Sequence, residues 1–321
     1  MSKHKFTASK EGSAAYFEAL NEYMEANVLD PDIGFRCDNA EKFCKKSCEY
    51  AGLKFIPGQL HHIGKYYDLK RDEKPFRIVV SGAEYGDGSE NVSLKNRSDE
   101  INQFIERYIS SDLSARHFFN QHMWGTLILL QLLFGKEPKN PSKEGGGMSI
   151  DIKGNLVHVF QAFSLTNFLL CSARSDSGKQ QIQHDAYTSI MREMCKEHYK
   201  NALEILKPQI IILQGTRSYD FWHDKPYSKE LNWDPAKESQ SDSYDFWREH
   251  RGKDLNFKPL KIEKVKLANC EKETLILPLC HPSQLPFWSP RNWGSAGRWA
   301  IRGYIKPAVE NLLKEYEKIY G

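Results

Sequence analysis

The chain has 321 residues, 40% of them hydrophobic, which is enough apolar material for a large buried core. Its 45 basic and 42 acidic residues leave a net charge of only +3, so composition alone does not indicate a nucleic-acid-binding protein. The sequence nowhere approaches the roughly 18 continuous apolar residues of a membrane helix, and no apolar run follows the first lysines. These features exclude a membrane-spanning class and predict a cytoplasmic protein.

Predicted helices alternate along the chain with short apolar runs. Helical spacing of apolar residues predicts helices at Ser13–Ala26, Ala40–Tyr50, Asp99–Ser110, Ala115–Phe134, Gln183–Leu206 and Arg298–Tyr316. Buried strands are expected at Phe76–Ser81, Leu156–Phe163, Gln209–Gln214 and Thr274–Cys280. This alternation predicts a three-layer α/β/α fold with a four-stranded, mostly parallel sheet.

Two polar segments interrupt this pattern. Residues 136–147 and 227–256 are rich in Lys, Pro, Gly, Ser and Asp, which is typical of surface insertions. We therefore expect one domain over residues 1–321, with an N-terminal helical extension and two insertions.

Three of the predicted strands run into unusual polar sequences. The first is followed by a glycine-rich turn that holds Glu84 and Asp87, the second leads to Asn167, and the fourth to His281. Ligands of open parallel sheets bind at the carboxyl ends of the strands, so these side chains are expected to converge. Each also has a simpler interpretation, since the turn suits a phosphate nest, Asn167 a helix cap and His281 an ordinary loop.

The chain has seven cysteines and no secretion signal. This combination argues against a disulfide framework and favours metal ligation, catalysis or burial as small apolar side chains.

Three segments together resemble a known family. FRIVVSGAEYGDG is similar to the first motif of uracil-DNA glycosylases, LTNFLLC to the Thr-Asn-x-x-x-Cys segment of their iron–sulfur class, and CHPSQL to their His-Pro-Ser-x-Leu loop. The order, spacing and strand context agree, and the resemblance spans roughly Cys37 to Leu285. It implies a uracil-DNA glycosylase-like fold and a DNA-binding enzyme, expected to be a monomer, that flips a base out of the helix and excises it.

The resemblance also implies a 4Fe–4S cluster, with tetrahedral zinc as the alternative metal. The implied ligands are Cys44, Cys48, Cys171 and Cys195. The N-terminal pair is wider than the usual C-x-x-C, and Cys37 is a candidate to replace Cys44 or Cys48. Cys270 and Cys280 are expected to be ordinary buried cysteines.

Residue roles follow from the same resemblance. Glu84 is expected to stabilise the positively charged sugar and position the attacking water, with Asp87 as the weaker candidate for this role. His281 would donate a hydrogen bond to the pyrimidine O2 as negative charge develops there. Asn167 offers both a donor and an acceptor to the polar edge of a flipped pyrimidine.

Other residues are expected to contact the base or the DNA. The base-binding turn comprises Gly82, Ala83, Tyr85 and Gly86. Leu285 corresponds to the family's apolar wedge, pushed into the stack where the base left, and the remaining DNA contacts are assigned to Ser283, Gln284 and Arg291.

The first motif departs from the family in ways that bear on the substrate. Tyr85 stands where the family has proline, Ala83 where Gln or Glu is usual, and Gly86 where the narrowest uracil enzymes have a tyrosine that blocks bulk at C5. A pocket open at C5 predicts a modified pyrimidine, such as the glucosylated hydroxymethylcytosine of phage DNA, excised as antiviral defence. The alternatives are an ordinary uracil-DNA glycosylase in base-excision repair and a non-catalytic iron–sulfur DNA-binding module.

Overall fold

The computed structural model of the protein describes residues 4–30, 34–57, 60–82, 93–109, 124–137, 149–175, 188–214, 262–279 and 305–321. The strands in these ranges are β1 (Phe6–Ser9), β2 (Leu29–Asp30), β3 (Gly34–Phe35), β4 (Leu53–Pro57), β5 (His62–Ile63), β6 (Asp68–Arg71), β7 (Lys74–Pro75), β8 (Ile78–Gly82), β9 (Ser149–Ile152), β10 (Asn155–His158), β11 (Ser164–Asn167), β12 (Cys171–Ser175), β13 (Ile210–Gln214), β14 (Glu263–Val265) and β15 (Thr274–Leu279). The helices are α1 (Lys10–Asn27), α2 (Lys45–Tyr50), α3 (Leu94–Ile109), α4 (Trp124–Leu133), α5 (Ser189–Leu206) and α6 (Lys306–Tyr320), with a π-helix at Ala40–Cys44 and a 3-10 helix at Val159–Gln161.

A six-stranded sheet in the order β14, β15, β13, β8, β11, β5 forms the centre of the described fold. The four inner strands are parallel to one another. The edge strands β5 and β14 are antiparallel to their neighbours. The predicted mostly parallel α/β sheet is therefore confirmed, but it has six strands instead of four. The two extra strands have two and three residues, too short for an alternating pattern to reveal them.

Helices cover both faces of this sheet. In β13, Ile210 and Ile212 belong to one buried apolar cluster and Ile211 and Leu213 to another, as the two-residue period of a strand dictates. The first cluster contains apolar residues of α4 and α6, and the second contains those of α1 and α5. Burial on both faces explains why β8, β13 and β15 are continuous apolar runs.

One predicted strand is wrong. The segment Leu156–Phe163 was expected in the sheet, but it divides between β10, which forms a hairpin with β9, and the 3-10 helix. His158 starts that helix, because its Nδ1 accepts the backbone N–H of Phe160. Leu156 is exposed, whereas the other apolar side chains of the segment belong to a buried core cluster, and the strand that pairs with β8 on this side is Ser164–Asn167.

The long helix α5 begins and ends at clear signals. The Thr188 hydroxyl accepts the backbone N–H of Met191 at its start. At its end, Lys207 adopts a left-handed conformation with φ of 48°. The helix thus starts at Ser189, whereas the sequence predicted Gln183. The predicted insertion at 227–256, and most of the one at 136–147, lie outside the described residues.

Candidate functional site

Gly82 and Asn167 lie side by side where two neighbouring parallel strands end. Gly82 closes β8 in register with Asn167, which closes β11. The backbone N–H of Phe168 donates to the Gly82 carbonyl at 2.9 Å, which extends the pairing by one residue. A Cβ atom on Gly82 would lie 3.5 Å from the amide oxygen of Asn167. The side-chain amide of Asn167, a residue only 6% exposed, therefore packs against the backbone that begins the glycine-rich turn.

A buried hydrogen bond fixes the end of β8 to helix α5. The hydroxyl of Tyr199 donates to the Ser81 hydroxyl at 2.7 Å, and both residues are buried. Apolar residues at helical spacing place Tyr199 on the buried face of α5, one turn after Cys195. The residue before Gly82 is thus held by the helix that also carries one of the predicted metal ligands.

The other two parallel strands end at the same edge of the sheet. Gln214 at the end of β13 is in register with Leu279 at the end of β15. The glycine-rich turn follows Gly82 directly, and His281 follows Leu279 by two residues. The predicted site residues that lie outside the described residues are Ala83, Glu84, Tyr85, Gly86, Asp87, His281, Ser283, Gln284, Leu285 and Arg291.

Five buried cysteines belong to one apolar cluster, beside the segment that follows Asn167. Cys37 precedes the π-helix, Cys44 ends it, Cys48 lies in α2, Cys171 begins β12 and Cys195 lies in α5. All five are free thiols, and the half-buried Cys270 is a sixth. The buried tetrapeptide from Phe168 to Cys171 therefore connects Asn167 directly to this set of five cysteines, which we call the thiol group.

The thiol of Cys171 is affected by two other cysteines of the group. Cys195 and Cys44, followed by burial, raise its pKa well above the usual value. The hydrogen bond with Cys171 lowers the pKa of Cys44. Burial raises the pKa of Cys37, which also interacts electrostatically with Cys195 and Cys44. Thiols from three segments of the chain, one at Cys37 and Cys44, one at Cys171 and one at Cys195, therefore influence one another.

Cys48 has a different environment. Its thiol donates to the Met191 thioether sulfur at 3.4 Å. Burial, followed by the nearby Cys44, raises its pKa to about 11. Among the thiols, only Cys44 contributes to this shift.

Cys37 instead contacts a polar network. Its sulfur lies 3.5 Å from Nε2 of His198, whose Nδ1 lies 2.9 Å from the Tyr23 hydroxyl. The Asn201 side-chain amide donates to the same hydroxyl at 3.2 Å. A cavity of about 320 Å³ opens at this end of the thiol group, bordered by Cys37 and His198 together with Arg36 and Asn39.

The chemistry of these donors fits the cofactor that the sequence predicted. Thiolates are the ligands of iron–sulfur clusters, and several of these buried cysteines come from separate elements. Within the described ranges, no group of three or more His, Cys, Asp or Glu side chains is arranged to hold a single metal ion. The fit therefore rests on the identity and convergence of the sulfur donors.

Sequence analysis did not find His198, Tyr23, Asn201 or Tyr199. His198 follows Cys195 by three residues on one helix, a spacing that places two side chains on the same side and was available as a signal. Tyr23 lies within the helix predicted at Ser13–Ala26, and no sequence pattern links it to a residue 175 positions away.

Comparison of the chain with known protein families and with curated proteins finds no match. No helix in the described part of the chain combines the length and apolar character needed to cross a membrane.

Proposed function

We propose that this protein is a DNA glycosylase, with a uracil-DNA glycosylase-like fold, that excises a modified pyrimidine from DNA. The observation that supports this most is the pair formed by Asn167 and Gly82 at the carboxyl edge of the parallel sheet. That edge is where ligands of open α/β sheets bind. A buried amide set against a strand-end backbone suits the polar edge of a base flipped out of the helix.

In the proposed reaction, water attacks C1′ of the sugar as the bond between C1′ and the base nitrogen breaks. Glu84 stabilises the positive charge that builds on the sugar and holds the attacking water, with Asp87 as the weaker candidate. His281 donates a hydrogen bond to the pyrimidine O2, where negative charge collects. The products are a free base and an abasic site.

Three further parts of the chain position the DNA. Asn167 and the turn that starts at Gly82 hold the flipped base, and Leu285 fills the gap in the base stack. Ser283, Gln284 and Arg291 contact the DNA strand beside the gap. The topology supports this arrangement, because β8, β11 and β15, which lead to these segments, are parallel strands of one sheet.

The thiol group would hold a 4Fe–4S cluster as a structural cofactor. Bound there, the cluster would tie the N-terminal helices to the segment that carries Asn167, since the thiols come from both. Because Cys171 lies only four residues after Asn167, the cluster would restrain the base-binding amide without taking part in bond cleavage.

The substrate is proposed from the first motif. Gly86 stands where the narrowest family members have the tyrosine that excludes bulky pyrimidines, so the C5 side of the proposed pocket would be open. We therefore favour a pyrimidine with a large C5 substituent, such as glucosylated hydroxymethylcytosine, and a role in defence against phages whose DNA carries it.

The test uses matched oligonucleotides that differ in one base. The protein is incubated with strands containing uracil, hydroxymethylcytosine or glucosylated hydroxymethylcytosine, single-stranded and paired, and abasic sites are revealed by alkaline cleavage. Cleavage at the glucosylated base, with little at uracil, is expected. Cleavage at uracil alone would reassign the substrate, and loss of no base from these or other modified DNAs would reject the glycosylase.

A further inference from the structure

The thiol group contains five buried cysteines, one more than a four-ligand cluster requires. The alternatives differ at the N-terminal end, where Cys37 and Cys48 flank Cys44. Both are almost completely buried, at 5% and 0% exposure, so burial alone does not distinguish them. Their hydrogen bonds distinguish the two cysteines.

The Cys37 sulfur has a ring nitrogen as its hydrogen-bonding neighbour. Nε2 of His198 lies 3.5 Å from it. An N–H group directed at the sulfur stabilises negative charge on that atom, as a metal-bound thiolate requires. Cys37 also interacts with both Cys44 and Cys195, which lie on different helices.

The polarity of the network around His198 favours an N–H at Nε2. Asn201 donates to the Tyr23 oxygen, which leaves the Tyr23 proton to be donated to Nδ1 of His198. With Nδ1 acting as acceptor, the ring proton resides on Nε2 and faces the Cys37 sulfur. The hydrogen-bonded chain of Asn201, Tyr23 and His198 thus places an N–H donor beside the Cys37 sulfur.

Cys48 has the opposite arrangement. Its S–H is the donor, and it is directed at the Met191 thioether, which is an acceptor only. Cys44, one helical turn earlier, adds to the upward shift of the Cys48 pKa. This is the environment of a thiol that packs as a small apolar group.

We infer that Cys37, Cys44, Cys171 and Cys195 hold the cluster, that Cys48 is a packing residue, and that His198 is a positioning residue which hydrogen-bonds the Cys37 sulfur. The inference rests on the cofactor of the proposed function and selects Cys37, the possible replacement, over Cys48 in the ligand set that the family resemblance implied. It has a measurable consequence, because hydrogen bonds to cluster sulfurs stabilise the more negative, reduced state and raise the reduction potential.

The ligand assignment is tested on the full-length protein purified without oxygen. Iron and acid-labile sulfide per chain, and absorbance near 400 nm, roughly where thiolate-bound iron absorbs, are measured for the wild type and for alanine and serine variants of Cys37 and Cys48. Cys270→Ala is the matched control, and circular dichroism identifies the folded variants. We expect folded Cys37 variants to lose most of the iron, and Cys48 and Cys270 variants to retain the wild-type content.

Iron retained without Cys37, or lost in folded variants of Cys48, would overturn the assignment. Wild-type protein without iron would remove the cluster and this inference together, whereas the base-release experiment would still decide the glycosylase. If the wild type holds iron but releases no base, the glycosylase is rejected, and the ligand assignment is still decided by the Cys37 and Cys48 variants.

The role of His198 is tested with a measurement that a loss of packing alone would not change. The midpoint potential of the cluster is measured in the wild type, in His198→Phe, in Tyr23→Phe and in the control Tyr16→Phe, which removes another half-buried hydroxyl from the same helix. We expect a more negative potential in His198→Phe, a smaller shift in the same direction in Tyr23→Phe, and none in the control. Equal potentials in the wild type and His198→Phe, with iron retained, would refute the hydrogen bond.

Discussion

The amide oxygen of Asn167 stands 3.5 Å from the point where a side chain on Gly82 would begin, at the paired ends of two parallel strands. This contact links two segments that are 85 residues apart (167 − 82). It places a hydrogen-bonding side chain over the backbone at the end of β8, immediately before the glycine-rich sequence that follows Gly82. If the proposed function is correct, both residues are sensitive to small changes.

Asn167→Asp replaces the amide donor with an acceptor while keeping the size of the side chain. A pyrimidine edge that needs that donor then faces a second acceptor, and a buried polar group without its partner costs about 1–3 kcal/mol. We expect the kcat/KM of base release to fall roughly 10-fold to 100-fold. Single-turnover assays on the preferred DNA measure this, and an unchanged kcat/KM would remove Asn167 from the base pocket.

Gly82→Ala adds one methyl group beside the same amide. The contact of 3.5 Å is an ordinary van der Waals distance, so the fold should accommodate it, with a free energy of unfolding within about 1 kcal/mol of the wild type. Base release should nevertheless slow, because the methyl group occupies space that the flipped base needs. Urea unfolding and the glycosylase assay are compared on the same preparation. Unfolding of the variant, or full activity, would contradict this account.

The hydrogen bond from Tyr199 to Ser81 should contribute measurably to stability. In Tyr199→Phe the buried Ser81 hydroxyl loses its partner, which should lower the free energy of unfolding by about 1–2 kcal/mol. Adding Ser81→Ala should recover part of that loss, since neither partner then remains. Tyr16→Phe is the control, and a double-mutant cycle by urea unfolding provides the measurement. A coupling energy of zero would show that the contact is not stabilising.

Buried histidines predict a loss of stability in acid. Burial lowers the pKa of His62 to about 4 and that of His158 to about 3. Below the ordinary histidine pKa of about 6.5, the unfolded chain binds protons that the folded chain does not, so each group removes about 1.4 kcal/mol of stability per pH unit. This loss runs from about pH 6.5 down to the folded pKa.

His62→Gln tests that slope. The glutamine is uncharged throughout the range, so the free energy of unfolding should decline less steeply than in the wild type, by about 1.4 kcal/mol per pH unit between pH 6 and pH 5. Stability at pH 7 will also change, because His62 Nε2 contacts the Phe160 carbonyl, and only the slope is diagnostic. Parallel slopes would mean that His62 is protonated in the folded protein.

The sheet was predictable where burial dictated the sequence. Strands β8, β13 and β15 are covered on both faces and appear as uninterrupted apolar runs. The segment Leu156–Phe163 has a similar composition for a different reason, since its apolar residues other than the exposed Leu156 fill the core from a hairpin and a 3-10 helix. The apolar composition of this segment therefore indicates burial but does not determine its backbone conformation.

The candidate site was predictable to a similar extent. The meeting of Gly82 and Asn167 follows from parallel pairing, which brings successive carboxyl ends to one edge. The contact between Cys37 and His198 spans 161 residues and depends on how α5 packs beside the π-helix. The family resemblance implied Cys44 and Cys48 as the N-terminal pair with Cys37 as a possible replacement, and the hydrogen bonds on which the choice of Cys37 is proposed are not visible in the sequence.

The most direct test of the glycosylase is the amount of free base released from DNA that contains glucosylated hydroxymethylcytosine, quantified by mass spectrometry. Wild-type protein is compared with Glu84→Gln, which keeps the size of the side chain but removes the charge that stabilises the sugar cation. We expect free modified base and abasic sites in equal amounts, and a rate reduced roughly 10²-fold to 10⁴-fold in the variant. Equal rates for the two proteins, or the absence of free base with every modified DNA offered, would contradict it.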